Sequence, residues 1–246
     1  MMRWKITTAG VLLSSLIMSL SNPTSLRAQS QHMLLLNAGF APGTHIVKSE
    51  FEGTDISSFH LGTYVGSNFL ISIDDHNRLS VGLNYVQKGY YYREKSEFNL
   101  SFDDFDVDLD LSLSYDFRFR LKLHYLHLPL TWYYYPSPSK KETNLYFLAG
   151  THMDILTGAN VRVYFGIDDI IKFKISTSDI SDIGPVRKTE WGIHFGMGLS
   201  KPVGKYRLFL ESRYNQALTP WLELKPFDEK WYNTYFIFAG GISFPL

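Results

Sequence analysis

The sequence predicts an all-β fold: an eight-stranded antiparallel up-and-down transmembrane β-barrel with a long projecting strand 3–strand 4 hairpin. The first of three supporting observations is the run "DFDVDLDLSLSYDFRFRLKLHYLHL" at 104–128. Every odd position from Phe105 to Tyr125 is apolar or aromatic, and every even position from Asp104 to His124 is polar. A period of two is a strand with one apolar and one wet face. At about 3.3 Å per residue this run reaches about 70 Å, several times an ordinary globular strand. The second observation is composition: no cysteine, 16 Tyr and 18 Phe, with 16% aromatics spread over alternating segments. The third is a rhythm of short and long connections between those segments.

The N-terminus reads as a secretory signal over 1–28, leaving 29–246 as the barrel domain. Arg3 and Lys5 form a positive start, Ile6 to Leu20 an apolar stretch, and Asn22-Pro23 a breaker before Ala28. Fifteen mostly apolar residues are too few for a membrane helix, which needs about 20. Without residues 1–28 the chain keeps 21 basic residues against 24 acidic, a charge of −3. That balance offers no footprint for nucleic acid. The lack of cysteine excludes a lipid-anchored lipoprotein, disulfides and cysteine-based zinc sites.

Turn signals then divide the chain into eight alternating segments. They cover about 33–41, 58–73, a third from Arg78, a fourth ending near Tyr135, then 144–156, 189–200, 206–218 and 232–244. Connections after the second, fourth and sixth are short and rich in Pro, Asp, Asn, Gly and Lys. Those after the first, fifth and seventh are long, at 42–57, 157–188 and 219–231. Short turns on one side and long loops on the other are the pattern of outer-membrane barrels, with the short side in the periplasm. An exported β-sandwich would explain the alternation but not the even parity and this asymmetry, and a lipocalin-like barrel would need an inward apolar cavity where several strands place polar residues.

The opening run belongs to the third and fourth segments. A two-residue turn at Asp103-Asp104 pairs Phe102 with Phe105, Leu100 with Val107 and Phe98 with Leu109, all on one face. A bilayer crossing needs about 9–11 residues per strand, so this hairpin is expected to project beyond the membrane. The apolar set moves from odd to even positions between Tyr85 and Tyr90, and again at Tyr125-Leu126. Such one-residue slips are expected to be β-bulges that flip the faces where wall meets projection. The apolar row from Val107 to Tyr115 must fold over the barrel mouth, with loops 42–57 and 157–188 completing a core, or be covered by a partner. The acidic row Asp103, Asp104, Asp106, Asp108 and Asp110 is the candidate partner surface.

The candidate interior is a polar plug of His152, Asp154, Glu190, His194, Glu211 and Arg213. In 189–200, Trp191, Ile193, Phe195, Met197 and Leu199 face lipid while Glu190, Gly192, His194, Gly196 and Gly198 face the lumen. Folding 189–218 about Val203-Gly204 sets Glu211 opposite Gly196 and Arg213 opposite His194, with the glycines making room. Eight strands leave a lumen just wide enough for side chains to fill, so the charges read as a salt-bridged plug. No catalytic constellation, cofactor or metal is assigned. His124 and His127 face opposite sides of one strand, and the acidic row spreads over about 20 Å, too far for one ion.

Five stretches carry a family resemblance: "LNYVQKGYY" (83–91), "YLHLPLTWYY" (125–134), "LYFLAGTHMDIL" (145–156), "EWGIHFGMGLS" (190–200) and "LFLESRYNQAL" (208–218). In this order they resemble the PorT-type outer-membrane β-barrel family of the Bacteroidetes. The resemblance implies an eight-stranded barrel in the cell outer membrane, with outer-membrane lipid and the outer-membrane assembly machinery as partners. It further implies an accessory part in type IX protein secretion alongside other components of that system. It carries over no catalytic residue. A structural or adhesive barrel, and behind it a lipid-modifying barrel enzyme, are the other function classes; loss of C-terminal-domain protein secretion on deletion separates the secretion role from the structural or adhesive one.

Overall fold

A computed structural model of the chain describes residues 32–48, 60–101, 110–139, 142–167, 171–177, 186–224 and 229–246. The strands are β1 (Met33–Lys48), β2 (His60–Ser72), β3 (Asn77–Ser101), β4 (Asp110–Tyr134), β5 (Asn144–Ile167), β6 (Ile171–Thr177), β7 (Thr189–Val203), β8 (Tyr206–Ala217), β9 (Leu222–Leu224) and β10 (Glu229–Pro245). Eight of them form an antiparallel ring, β1-β2-β3-β4-β5-β7-β8-β10, closed by pairing of β1 with β10. The remaining two are additions above it, β6 folded back on β5 and β9 on β10. No helix occurs among the described residues.

The start of β1, the end of β10 and the short turns share one end. The 73–76 turn is tied by Asp74, whose carboxylate accepts from the backbone of His76 and Asn77 at 2.7 Å each. β7 and β8 are joined through Gly204-Lys205, with Gly204 at φ 61° and Val203 paired to Tyr206. Only glycine takes that φ without strain, which places the turn one residue later than Val203-Gly204. The pairing therefore moves by two residues from expectation: Arg213 faces Gly196, Glu211 faces Gly198, and His194 faces Asn215.

The β3–β4 hairpin departs from expectation in the same even-numbered way. Its pairing keeps one register from Asn77↔Tyr134 to Ser101↔Asp110, with Leu100 opposite Leu111 and Phe98 opposite Leu113. This lies four residues from the expected pairs, and the expected contact Phe102–Phe105 falls outside the described residues. An even shift leaves every residue on its face, so alternation cannot tell the two registers apart.

The expected face flips of β3 and β4 do not occur. On β4 the odd residues Leu121, Leu123, Tyr125, His127, Thr131 and Tyr133 are all buried inside the ring. What inverts is the chemistry of the two sides. At the short-turn end the outward row is apolar and exposed: Val81 and Leu83 on β3, Leu130 and Trp132 on β4, Phe195 and Met197 on β7, Leu210 (67% exposed) on β8, Phe238 on β10. Such a belt around a whole ring is far larger than a soluble monomer exposes, and lipid is its solvent. Inside, an apolar cluster of Met33, Leu35, Leu70, Tyr133, Tyr135, Tyr146, Leu148 and Phe209 closes the short-turn end, polar groups fill the middle, and higher up the inside is apolar again. Val86, Tyr90, Leu121, Leu123, Tyr125 and Trp221 pack as one core, while outward positions become Lys122, Arg120 and Arg118. Among the described residues the bulge in this wall sits on β5: His124 pairs Gly158 and Tyr125 pairs Leu156, leaving Thr157 extra, its Oγ1 donating to His124 O at 2.9 Å.

Beyond the belt β5 runs to Ile167 and returns as β6, so much of the expected loop 157–188 is a strand extension. With β3 and β4 it makes a projecting four-stranded sheet. Trp221 and Leu222, from the connection after β8, close the upper core.

Candidate functional site

Inside the lipid belt the inward positions of β3, β4, β5, β7, β8 and β10 bring five buried charges together. Lys88 on β3 is the hub of the upper group. Its Nζ lies 2.7 Å from Asp154 Oδ2 and 3.3 Å from Glu190 Oε2, and the two carboxylate side chains are fully buried. The ammonium also stands over the rings of Tyr125 at 4.3 Å and Tyr235 at 4.7 Å. A desolvated cation gains most from aromatic faces. The remaining acceptor capacity of the acids is met locally. Asn233 donates to both oxygens of Glu190 at 2.8 Å, and Tyr235 donates to Asp154 Oδ2 at 3.3 Å. His127 Nδ1 lies 2.6 Å from Asp154 Oδ1.

The lower group is Arg213 with Glu211, adjacent inward positions of β8. Arg213 Nη2 is 2.5 Å from Glu211 Oε1 and donates to Tyr133 OH at 3.0 Å, while Tyr146 donates to Glu211 Oε2 at 3.2 Å. Three imidazoles bridge the groups: ring centroids of His127 and His152 are 5.0 Å apart, and those of His152 and His194 are 5.7 Å apart. Thr131 Oγ1 is 2.9 Å from His194 Nε2. The six residues singled out from the sequence, His152, Asp154, Glu190, His194, Glu211 and Arg213, are all buried here. Their charges divide into two ion clusters, and Glu190 meets Lys88, a residue outside the six.

Two of the inward glycines of β7 serve different neighbours from those expected. A Cβ on Gly192 would stand 2.3 Å from His152 Nε2, and one on Gly198 2.4 Å from Tyr146 OH. At these two positions the space is taken by side chains from β5, whereas a Cβ on Gly196 would meet Ser212 O and Arg213 Cα of β8. Sequence reasoning also missed Lys88, His127, Asn233, Tyr133 and Tyr146. Their signal was inward parity: Lys88 shares even numbering with the buried Ser80 and Asn84. As for the acidic hairpin row, Asp103, Asp104, Asp106 and Asp108 lie outside the described residues, and Asp110 opens β4 opposite Ser101.

The chemistry available is limited by partnering. Acyl transfer needs a hydroxyl, a histidine and a carboxylate in line. Among the described residues the histidine beside a hydroxyl here, His194, has no carboxylate on its other nitrogen, and the histidines beside a carboxylate, His127 and His152, have no hydroxyl on theirs. His127, His152 and Asp154 place one donor atom each within 4.8 Å of one another, yet Lys88 already neutralises Asp154 at 2.7 Å. Towards the short-turn end Tyr133, Tyr135, Tyr146 and Phe209 leave a cavity of about 20 Å³. That is room for about one water molecule. The arrangement suits a structural seal.

A model of the outer membrane protein beta-barrel domain family matches residues 27–223. Similar solved structures include Neisserial surface protein A, 13% identical over 87% of this chain and 97% of its own, with a TM-score of 0.42. Outer membrane protein W of E. coli is 10% identical over 90% of this chain and 100% of its own, with a TM-score of 0.41. OprG from Pseudomonas aeruginosa is 11% identical over 88% and 98%, with a TM-score of 0.36. None of the curated proteins matches the chain significantly. Identities and scores this low bear no weight on function, and assignment rests on the family match.

Proposed function

The chain belongs to the outer membrane protein beta-barrel domain family, and from that premise we propose that it is a non-enzymatic, non-conducting barrel working through its projecting sheet as an accessory component of type IX protein secretion. One observation carries the first half of this reading. The lumen is filled by the paired ions of Lys88, Asp154, Glu190, Glu211 and Arg213, whereas β3 to β6 continue past the lipid belt. A sealed barrel that extends one wall outward offers that wall, not its interior, to partners. The secretion role rests on the five motif stretches from 83–91 to 208–218, and the same resemblance supports insertion by the outer-membrane assembly machinery.

The test removes the projection and keeps the barrel. In the observed register Arg93 faces Arg118, so the balanced excision is 94–117, with Arg93 joined to Arg118 through Asn-Gly. The shortened barrel is expected to retain heat-modifiable gel migration and to lose support of C-terminal-domain protein export in the producing cell. Export at the full-length level with a folded shortened barrel would remove the sheet from the function. Unchanged export in a strain lacking the whole gene would favour a structural or adhesive barrel instead.

A further inference from the structure

Just above the lipid belt the outward face of β3, β4 and β5 turns cationic within a few residues. The outward row of β4 reads Trp132, Leu130, Leu128 and Leu126, then His124, Lys122, Arg120 and Arg118. The change comes at a hydrogen bond of 2.6 Å between Tyr85 OH and His124 Nδ1, an aromatic position typical of a membrane interface. Register sets Arg120 directly opposite Arg162 of β5, and Lys122 two residues further down the same face. On the β3 side Arg120 faces Tyr91, its guanidinium 5.4 Å from the ring centroid.

Like charges directly opposed across an antiparallel pair repel. The neighbouring cations are neutralised: Arg93 and Arg118 share Asp116. Arg120, Arg162 and Lys122 have no carboxylate within ion-pair reach among the described residues. The bland alternative, three side chains pointing separately into water, accounts for neither the opposed arginines nor their height. From Leu126 to Lys122 is about 13 Å along the strand, and about 10 Å in height once the usual barrel tilt is applied. This is the long-loop end, so that height is the outer leaflet just beyond its acyl chains, where its glycolipid carries phosphate.

We propose that Arg120, Arg162 and Lys122 form a binding site for the phosphate groups of the outer-leaflet glycolipid. One phosphate between two guanidiniums turns a cross-strand repulsion into a bridge, because each planar fork offers paired donors to the anion's oxygens. Lys122 then adds a point charge on the acyl-chain side, and the apolar row from Leu126 to Trp132 continues beneath it for the lipid tails. The site would anchor the base of the projecting sheet to the leaflet it emerges from.

The refolded full barrel in detergent micelles is titrated with diphosphorylated lipid A, with the same lipid dephosphorylated, and with phosphatidylglycerol, and bound lipid is counted by native mass spectrometry. Diphosphorylated lipid A is expected to bind. Its affinity is expected to fall about 30-fold in the Arg120→Gln/Arg162→Gln variant, at about a fivefold loss per cation removed. A smaller loss in Lys122→Gln provides a second, independent reading. Unchanged heat-modifiable migration shows that the variants fold. Equal binding by the double variant, or equal binding of dephosphorylated lipid A, overturns the proposal. Equal binding of phosphatidylglycerol overturns it too, by showing a surface that accepts any anionic lipid.

Discussion

Lys88 shows how much one residue can hold in a closed lumen. Its ammonium faces two buried carboxylates, Asp154 and Glu190, and a buried charge without a partner is far more costly than a missing pair. Lys88→Met is therefore expected to destabilise the barrel by about 3–5 kcal/mol in urea unfolding from lipid vesicles. Adding Asp154→Asn and Glu190→Gln should restore a large part of that loss. If the triple variant is no better than the single, the ion cluster is not what Lys88 sustains. Arg213→Ala exposes Glu211 to the same penalty, and a loss of similar size is expected by the same measurement. Gly192→Ala tests packing rather than charge. Its Cβ would meet His152 Nε2 at 2.3 Å, and a loss of about 1–3 kcal/mol is expected from overpacking. Lys88 escaped the sequence reading because a face flip was expected between Tyr85 and Tyr90, and a flip would have turned it outward.

At the scale of the element, β4 carries two solvents on one strand. Its even face is apolar from Trp132 to Leu126 and cationic from Lys122 to Arg118, while its odd face goes from Thr131 and His127 to Leu123 and Leu121. The alternation never breaks, and the apolar phase changes because lipid gives way to water outside and the polar plug gives way to an apolar core inside. Substitutions on one face should therefore read depth. Leu130→Arg is expected to cost about 2–4 kcal/mol if it lies near the bilayer midplane, and Arg120→Leu to stay within about 0.5 kcal/mol, both in unfolding from vesicles. Equal costs would mean that the lipid boundary does not fall between them. The projecting sheet adds a pH expectation. Hydrogen bonds from Arg118 and Arg93 hold the Asp116 carboxyl well below the usual range, and those from Tyr115 and Tyr92 lower that of Glu94. A depressed acid contributes fully above its unfolded value of about 4 and loses that contribution only as pH falls through the lower folded one. Hydrogen exchange of β3 and β4 amides beyond the belt should show protection constant from about pH 8 to 5 and falling only below about 4. Loss between 8 and 5 would point to other groups.

For the whole molecule, a closed ring with a filled interior should not conduct. The purified barrel is expected to show negligible conductance in planar bilayers, and stable nanosiemens channels would mean that the charged lumen opens. Much of this architecture was legible beforehand. The parity of short and long connections follows from the turn residues, and the strands and the inward positions of His152, Asp154, Glu190, His194, Glu211 and Arg213 follow from a local two-residue period. That period is a property of backbone geometry and needs no knowledge of the neighbours. Registers were not legible, because shifts of two in β7–β8 and four in β3–β4 preserve every face and leave the pattern unchanged. Nor were the ion partners, since Lys88 meets Asp154 and Glu190 across 66 and 102 residues of chain. The sequence by itself determined which residues point inward. Only the tertiary structure decided which of them touch, because contacts across a lumen depend on how the ring closes and by how much each strand slides past the next.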